Sequence, residues 1–228
     1  MSYFLYVSYI AFLFCLGFCL KHFFYLIKLG VPKDLSQKAG NISAGIIYAN
    51  TTAMLPTQKE SAYKHLPTYS AGILFHIGSF MALFGFIILF FNAVWNFFIQ
   101  HTILSILISI YLWISVGCGT GLIIKRIVSK KLRPISNLDD YISTFLVTLF
   151  QFFSALLFTI FSFHEFFYKF FSFELYNLII IIYFFISSLL FLYLPFGKLK
   201  HVVYYFAARY HLGFFYGRRG TWPPKFKL

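Results

Sequence analysis

The imidazole of His76 lies in the run GILFHIG, residues 72–78, among side chains suited to lipid. A polar, titratable ring in such a run is a functional candidate by default, because polar groups in hydrocarbon are costly. Neutral imidazole is a haem-iron ligand, and Gly72, Gly78 and Ser79 would leave room beside it for a flat ring. The same ring can accept a proton near neutrality. The plainer reading is a histidine hydrogen-bonded to a neighbouring helix, through Gln151, Tyr183 or a serine. Lys64, His65, Lys125 and Arg126 are basic groups towards the same end of their segments. His164 is the other histidine candidate, as a second haem ligand or an interfacial residue.

Other chemistry is sparse. No His-Glu-x-x-His, phosphate-binding glycine loop or Gly-x-Ser-x-Gly occurs. The adjacent carboxylates Asp139 and Asp140 stand where a helix should start, which suits the positive end of its dipole. Cys15, Cys19 and Cys118 form neither Cys-x-x-Cys-His nor a four-cysteine set, so covalent haem attachment and an iron–sulfur cluster held by this chain alone are excluded.

These residues are carried by an unusually apolar chain. Of 228 residues, 60% are hydrophobic and 11% charged. Soluble domains carry about 25% charged residues. The fold class expected is therefore an all-α integral membrane protein. Five stretches are long enough to cross a bilayer: 3–26, 71–97, 102–124, 141–162 and 175–196. The expected organisation is a first transmembrane helix in 1–29, a polar insert over 30–70 with short surface helices, a four-helix core over 71–196 and a basic tail over 197–228. The start MSYFLYVSYIAFLFCLGFCLKHFF lacks a basic leading region and a cleavage site, so it reads as a retained span.

Lys and Arg gather in the insert, in KRIVSKKLRPISNLDD and in the tail, with little charge between. This predicts an external N-terminus and a cytoplasmic C-terminus. The formal charge of +13 then suits anionic lipid headgroups and not nucleic acid, for which no binding module is present. SNLD, residues 136–139, predicts a capping box at the fourth span. Gly117 and Gly121, one turn apart, would let a neighbouring helix or a flat cofactor approach closely.

LFHIG in the second span, RPISNLDD before the fourth and YLPFGKLKHVVYYFAARY after the fifth together resemble the cytochrome b subunit family of respiratory nitrate reductase, the gamma subunits. MLPTQKESAYKHLPTYSAGILFHIG is closest to the heterodisulfide-reductase-like branch. The resemblance spans roughly residues 70–210. It implies a membrane subunit of a quinone-linked respiratory oxidoreductase, passing electrons between menaquinol or another quinol and a cytoplasmic iron–sulfur subunit. It implies b-type haem held by histidines of the second and fifth spans. One family histidine matches His76; the next falls on Phe86, another on Tyr183 and the last close to His164. One haem, ligated at His76 with Tyr183 or His164 as the further cofactor residue, is one expectation; the other is a haem-free anchor or assembly subunit of such a complex. Arg209, Arg218 and Arg219 of the tail are the residues expected to dock the partner. In such a subunit a quinone headgroup would meet His76 with Lys64, His65, Lys125 or Arg126. The expected location is a cell inner (plasma) membrane, with an organellar inner membrane as the alternative. A transporter is disfavoured, since internal repeats and mid-membrane charges are lacking.

Overall fold

A computed structural model of the chain describes residues 2–30, 34–58, 62, 64–90, 102–163, 166–167, 169 and 172–224. The long helices are α1 (Ser2–Leu29), α2 (Ile42–Asn50), α3 (Leu66–Phe90), α4 (Thr102–Val128), α5 (Leu138–Ser162), α6 (Phe173–Tyr193) and α7 (His201–Arg218). No strand occurs among the described residues. Five of the helices, α1 and α3 to α6, are long and apolar enough to cross a membrane. Helix is the required outcome for such segments, since every backbone polar group must find its partner within the segment.

The helix ends refine the boundaries expected from hydropathy. Helix α3 begins at Leu66 and not near 71, with Pro67 in the first turn, where no intrahelical N–H is needed. Helix α4 runs on to Val128, so Lys125 and Arg126 belong to its last turn and complement its dipole. The capping box before α5 is shifted one residue from SNLD. Asn137 is the N-cap and accepts from Asp140 N–H at 3.1 Å, while the Asp140 carboxylate accepts from Asn137 N–H at 3.0 Å. Ser136 instead donates its hydroxyl to Leu132 O at 2.8 Å.

The chain folds as two compact units: Met1–Cys15 with Pro67–Lys198, and Leu16–Leu66 with Leu199–Leu228. In the first, α4 and α5 interlock through small and hydroxylic residues, as helices in lipid must when hydrophobic contrast offers no driving force. Ser109 and Thr159 hydroxyls meet at 2.7 Å, and Trp113 Nε1 donates to Thr159 Oγ1 at 3.1 Å. Gly119 is buried where a Cβ would strike Thr148 and the Phe75 ring. At one end Asp140 is clamped by Arg126 at 2.9 Å and Lys198 at 2.6 Å. The interior is filled by rings: Phe86 packs against Phe12, Phe150, Tyr183 and Phe191, with centroids 4.7–6.5 Å apart.

The second unit joins segments that are distant in sequence. Helices α2 and α7 meet backbone to backbone through Gly45, Gly213 and Gly217, all buried. A side chain at any of the three would collide with the other helix. The irregular stretch before α2 is tied to the end of α7, because Ala39 and Gly40 N–H donate to Arg218 O at 2.8 and 3.1 Å. On the α1 side, the Tyr204 hydroxyl and His22 Nδ1 are 2.9 Å apart. Helix α1 closes at Gly30, whose φ of 67° is the left-handed conformation that glycine adopts without strain.

Candidate functional site

His76 is carried by α3, and its side chain is exposed on the outer surface of that helix. It borders the stripe of Ile73, Ile77, Phe80 and Phe84, which are 40–64% exposed and repeat at helical spacing. The ring is oriented by its own helix: Nδ1 lies 2.7 Å from Gly72 O. A carbonyl can only accept, so in the neutral ring Nδ1 carries the proton and Nε2 is the basic nitrogen.

The opposite face of α3 is pinned by Gln151. This fully buried amide donates from Nε2 to Phe75 O at 2.9 Å and to Ser79 Oγ at 2.8 Å. Gln151 therefore does bond across helices, but to the residues that flank His76 and not to the imidazole. Its Oε1 is buried and has no hydrogen-bond partner among the described residues. Ser115 completes this region by donating to Leu74 O at 3.3 Å, against the bare Cα of Gly78. Of the residues expected to leave room for a cofactor, Gly78 and Ser79 are occupied by helix contacts, whereas Gly72 has open space beside its Cα.

Tyr183 is elsewhere, in the middle of the aromatic interior and 1% exposed. It stacks on Phe150 with centroids 5.9 Å apart and planes at 19°, and touches Phe86 at 6.4 Å. Its hydroxyl lies with those of Ser154 and Ser187. Both serines spend their own protons on helix carbonyls, Phe150 O and Tyr183 O, which leaves their oxygens to receive the phenol. Phe86, at a position where the resemblance implies a histidine, is fully buried in the same ring cluster. The structure therefore separates two of the candidate ligands: His76 is exposed on α3, while Tyr183 is buried and packed ring to ring with Phe86. His164 lies outside the described residues.

The remaining candidates are dispersed. Arg126 is on α4 and its guanidinium is paired with Asp140 at 2.9 Å. Lys64 and His65 are exposed and belong to the second unit. Lys125 donates to the Thr68 hydroxyl and edges an open groove of about 520 Å³ between α3 and α4, lined by Pro67, Ala71, Gly117 and Gly121. His76 is not part of that lining.

The three tail arginines turn inward on their own unit. Arg209 donates to Ala49 O at the end of α2. Arg218 gives two hydrogen bonds to Ser36 O, at 3.1 and 2.7 Å. Arg219 pairs with Asp34 at 2.7 Å and lies over the Phe215 ring at 3.5 Å. The Ser36 backbone N–H foremost, and Arg219 with it, hold the Asp34 carboxyl below the usual carboxylate range. Nothing in the sequence marked these pairings, since each joins residues at least 160 positions apart.

No family model, curated protein or solved structure matches the chain. The likeness to the nitrate reductase gamma subunits rests on the short motifs alone.

Proposed function

We propose that this chain is a haem-free, multi-pass membrane subunit that anchors an iron–sulfur partner of a quinone-linked oxidoreductase complex. The observation that carries this reading is the ring-filled interior around Phe86 and Tyr183. An aromatic core of this kind supplies rigidity, which is what an anchor needs, and it buries a phenylalanine, Phe86, where the resemblance implies a histidine. The exposed Lys and Arg of the segments between spans suit contact with a partner or with anionic lipid.

A second reading, electron transfer between membrane quinol and the iron–sulfur partner through this chain, is favoured by one feature. His76 presents its ring on the outer face of a membrane-crossing helix with the tautomer set by Gly72 O. Its Nε2 has the chemistry to accept a proton from a quinol hydroxyl. The complex, purified in mild detergent and reduced with dithionite, distinguishes the two. The anchor reading expects no b-type alpha band assignable to this chain, and unchanged quinol turnover in His76→Ala. A band that disappears in His76→Ala, or turnover lost in that variant, overturns it in favour of electron transfer. Failure of an iron–sulfur subunit to co-purify removes both.

A further inference from the structure

We infer that the second unit holds one anionic phospholipid in a groove between the latter half of α1 and α7, acyl chain along α1 and phosphate near His211. The groove has two connected parts. The first, about 650 Å³, is walled by Leu16, Leu20, Phe23 and Ile27 on one side and by Val203, Phe206 and Ala207 on the other. The second, about 1030 Å³, is lined by Asp34, Ser36, Tyr216 and Arg219 as well as apolar residues. Gly30 and His211 line both, so the two are continuous.

Three observations select the occupant. The apolar part is walled by residues within the first membrane-crossing segment, Tyr3–Leu29, so it opens to lipid. Leu16, Leu20, Phe23, Ile27 and Phe206 are themselves 40–65% exposed, which continues the surface that α1 presents to acyl chains. Polarity then changes along the groove, from hydrocarbon walls to a mouth with an imidazole, a phenol and the Arg219–Asp34 pair, matching a molecule with an apolar chain and a polar head. The charge of the unit as a whole favours an anionic head. Asp34 is the one described carboxylate in this unit and is already paired with Arg219, whereas Lys21, Lys28, Lys38 and Lys200 lie in the same unit outside the groove lining. The inference stands apart from the redox or anchoring reading above.

The test is native mass spectrometry of the full chain after exchange into detergent with equimolar phosphatidylglycerol and phosphatidylcholine. One phosphatidylglycerol should be retained in preference to phosphatidylcholine. Ala207→Trp fills the apolar part, and retention should fall about tenfold, as expected when part of the chain loses its buried contact. Leu20→Trp fills the same space from the facing wall and should do likewise, so a folding defect in one variant does not decide the result. Phe84→Trp, on the exposed face of α3, should retain lipid as the parent does. Equal retention of the two lipids overturns the anionic headgroup, and unchanged retention in both groove variants overturns the site.

Discussion

Arg219 Nη1 and Asp34 Oδ2 are 2.7 Å apart and join the end of α7 to the segment that follows α1. The pair is partly open to solvent, with side chains 33% and 12% exposed. Its consequence is best read through pH. The Asp34 carboxyl is held below the usual carboxylate range in the folded chain, first by the Ser36 backbone N–H. Its stabilising effect is therefore complete above about pH 4–5 and is lost as pH falls through the depressed folded value. In detergent, the thermal midpoint of the parent should drop on acidification below pH 4. Asp34→Asn should lower the midpoint at pH 7 and flatten that acid limb; an unchanged limb would show that Asp34 is not its source.

The close approach of α2 and α7 predicts an asymmetry among glycines. Gly45 and Gly217 face each other with no room for a Cβ, whereas Gly117 on α4 meets open space. Gly45→Ala should destabilise the second unit by about 1–3 kcal/mol through overpacking. Gly117→Ala should be neutral or stabilising by up to about 1 kcal/mol, from helix propensity. Protease resistance of the segments on either side of α2, followed during thermal unfolding, reads the difference.

Gln151 should be worth more than its orphan acceptor costs. Gln151→Ala removes two donors from Phe75 O and Ser79 and leaves a void, with an expected loss of about 1–2 kcal/mol. Gln151→Leu fills the space and also removes the unpartnered Oε1, so the expected loss is about 1 kcal/mol or less. Reversible unfolding in mixed micelles would order the two variants; equal losses would mean that the hydrogen bonds, and not the packing, dominate.

The ring cluster gives the largest expected effect. Phe86 is fully buried against five other rings, Tyr9 among them, so Phe86→Ala should cost about 3–5 kcal/mol. Tyr183→Phe keeps the ring and removes only the hydroxyl shared with Ser154 and Ser187, for about 1 kcal/mol. The same micelle titration measures both. A Tyr183→Phe loss as large as that of Phe86→Ala would point to a role for the phenol beyond packing.

The candidate site was legible only in part. His76 stands out in the sequence because an imidazole among lipid-suited residues is rare, and it does fall within a membrane-crossing helix. Its direction was not legible, because α3 is apolar around its whole circumference and helical periodicity then carries no information about which side is buried. Packing alone decides it: Gln151, from α5, anchors the face bearing Phe75 and Ser79 and leaves His76 outside. The intrachain partners of the tail arginines were not legible for a related reason: their acceptors, such as Ala49 O and Ser36 O, are backbone carbonyls far away in sequence.

The sequence by itself determined that, among the described residues, five segments are helices long and apolar enough to cross a membrane, and roughly where, because hydrophobic length and the scarcity of charge are local, additive properties. It also located the start of α5 to within one residue, since a capping box is built from neighbours. Only the tertiary structure decided that the insert and the tail share one unit, that glycines bring α2 against α7, and that rings fill the space around Phe86 and Tyr183. Those outcomes depend on which surfaces meet, and van der Waals fit between distant segments leaves no trace in the composition of either one alone.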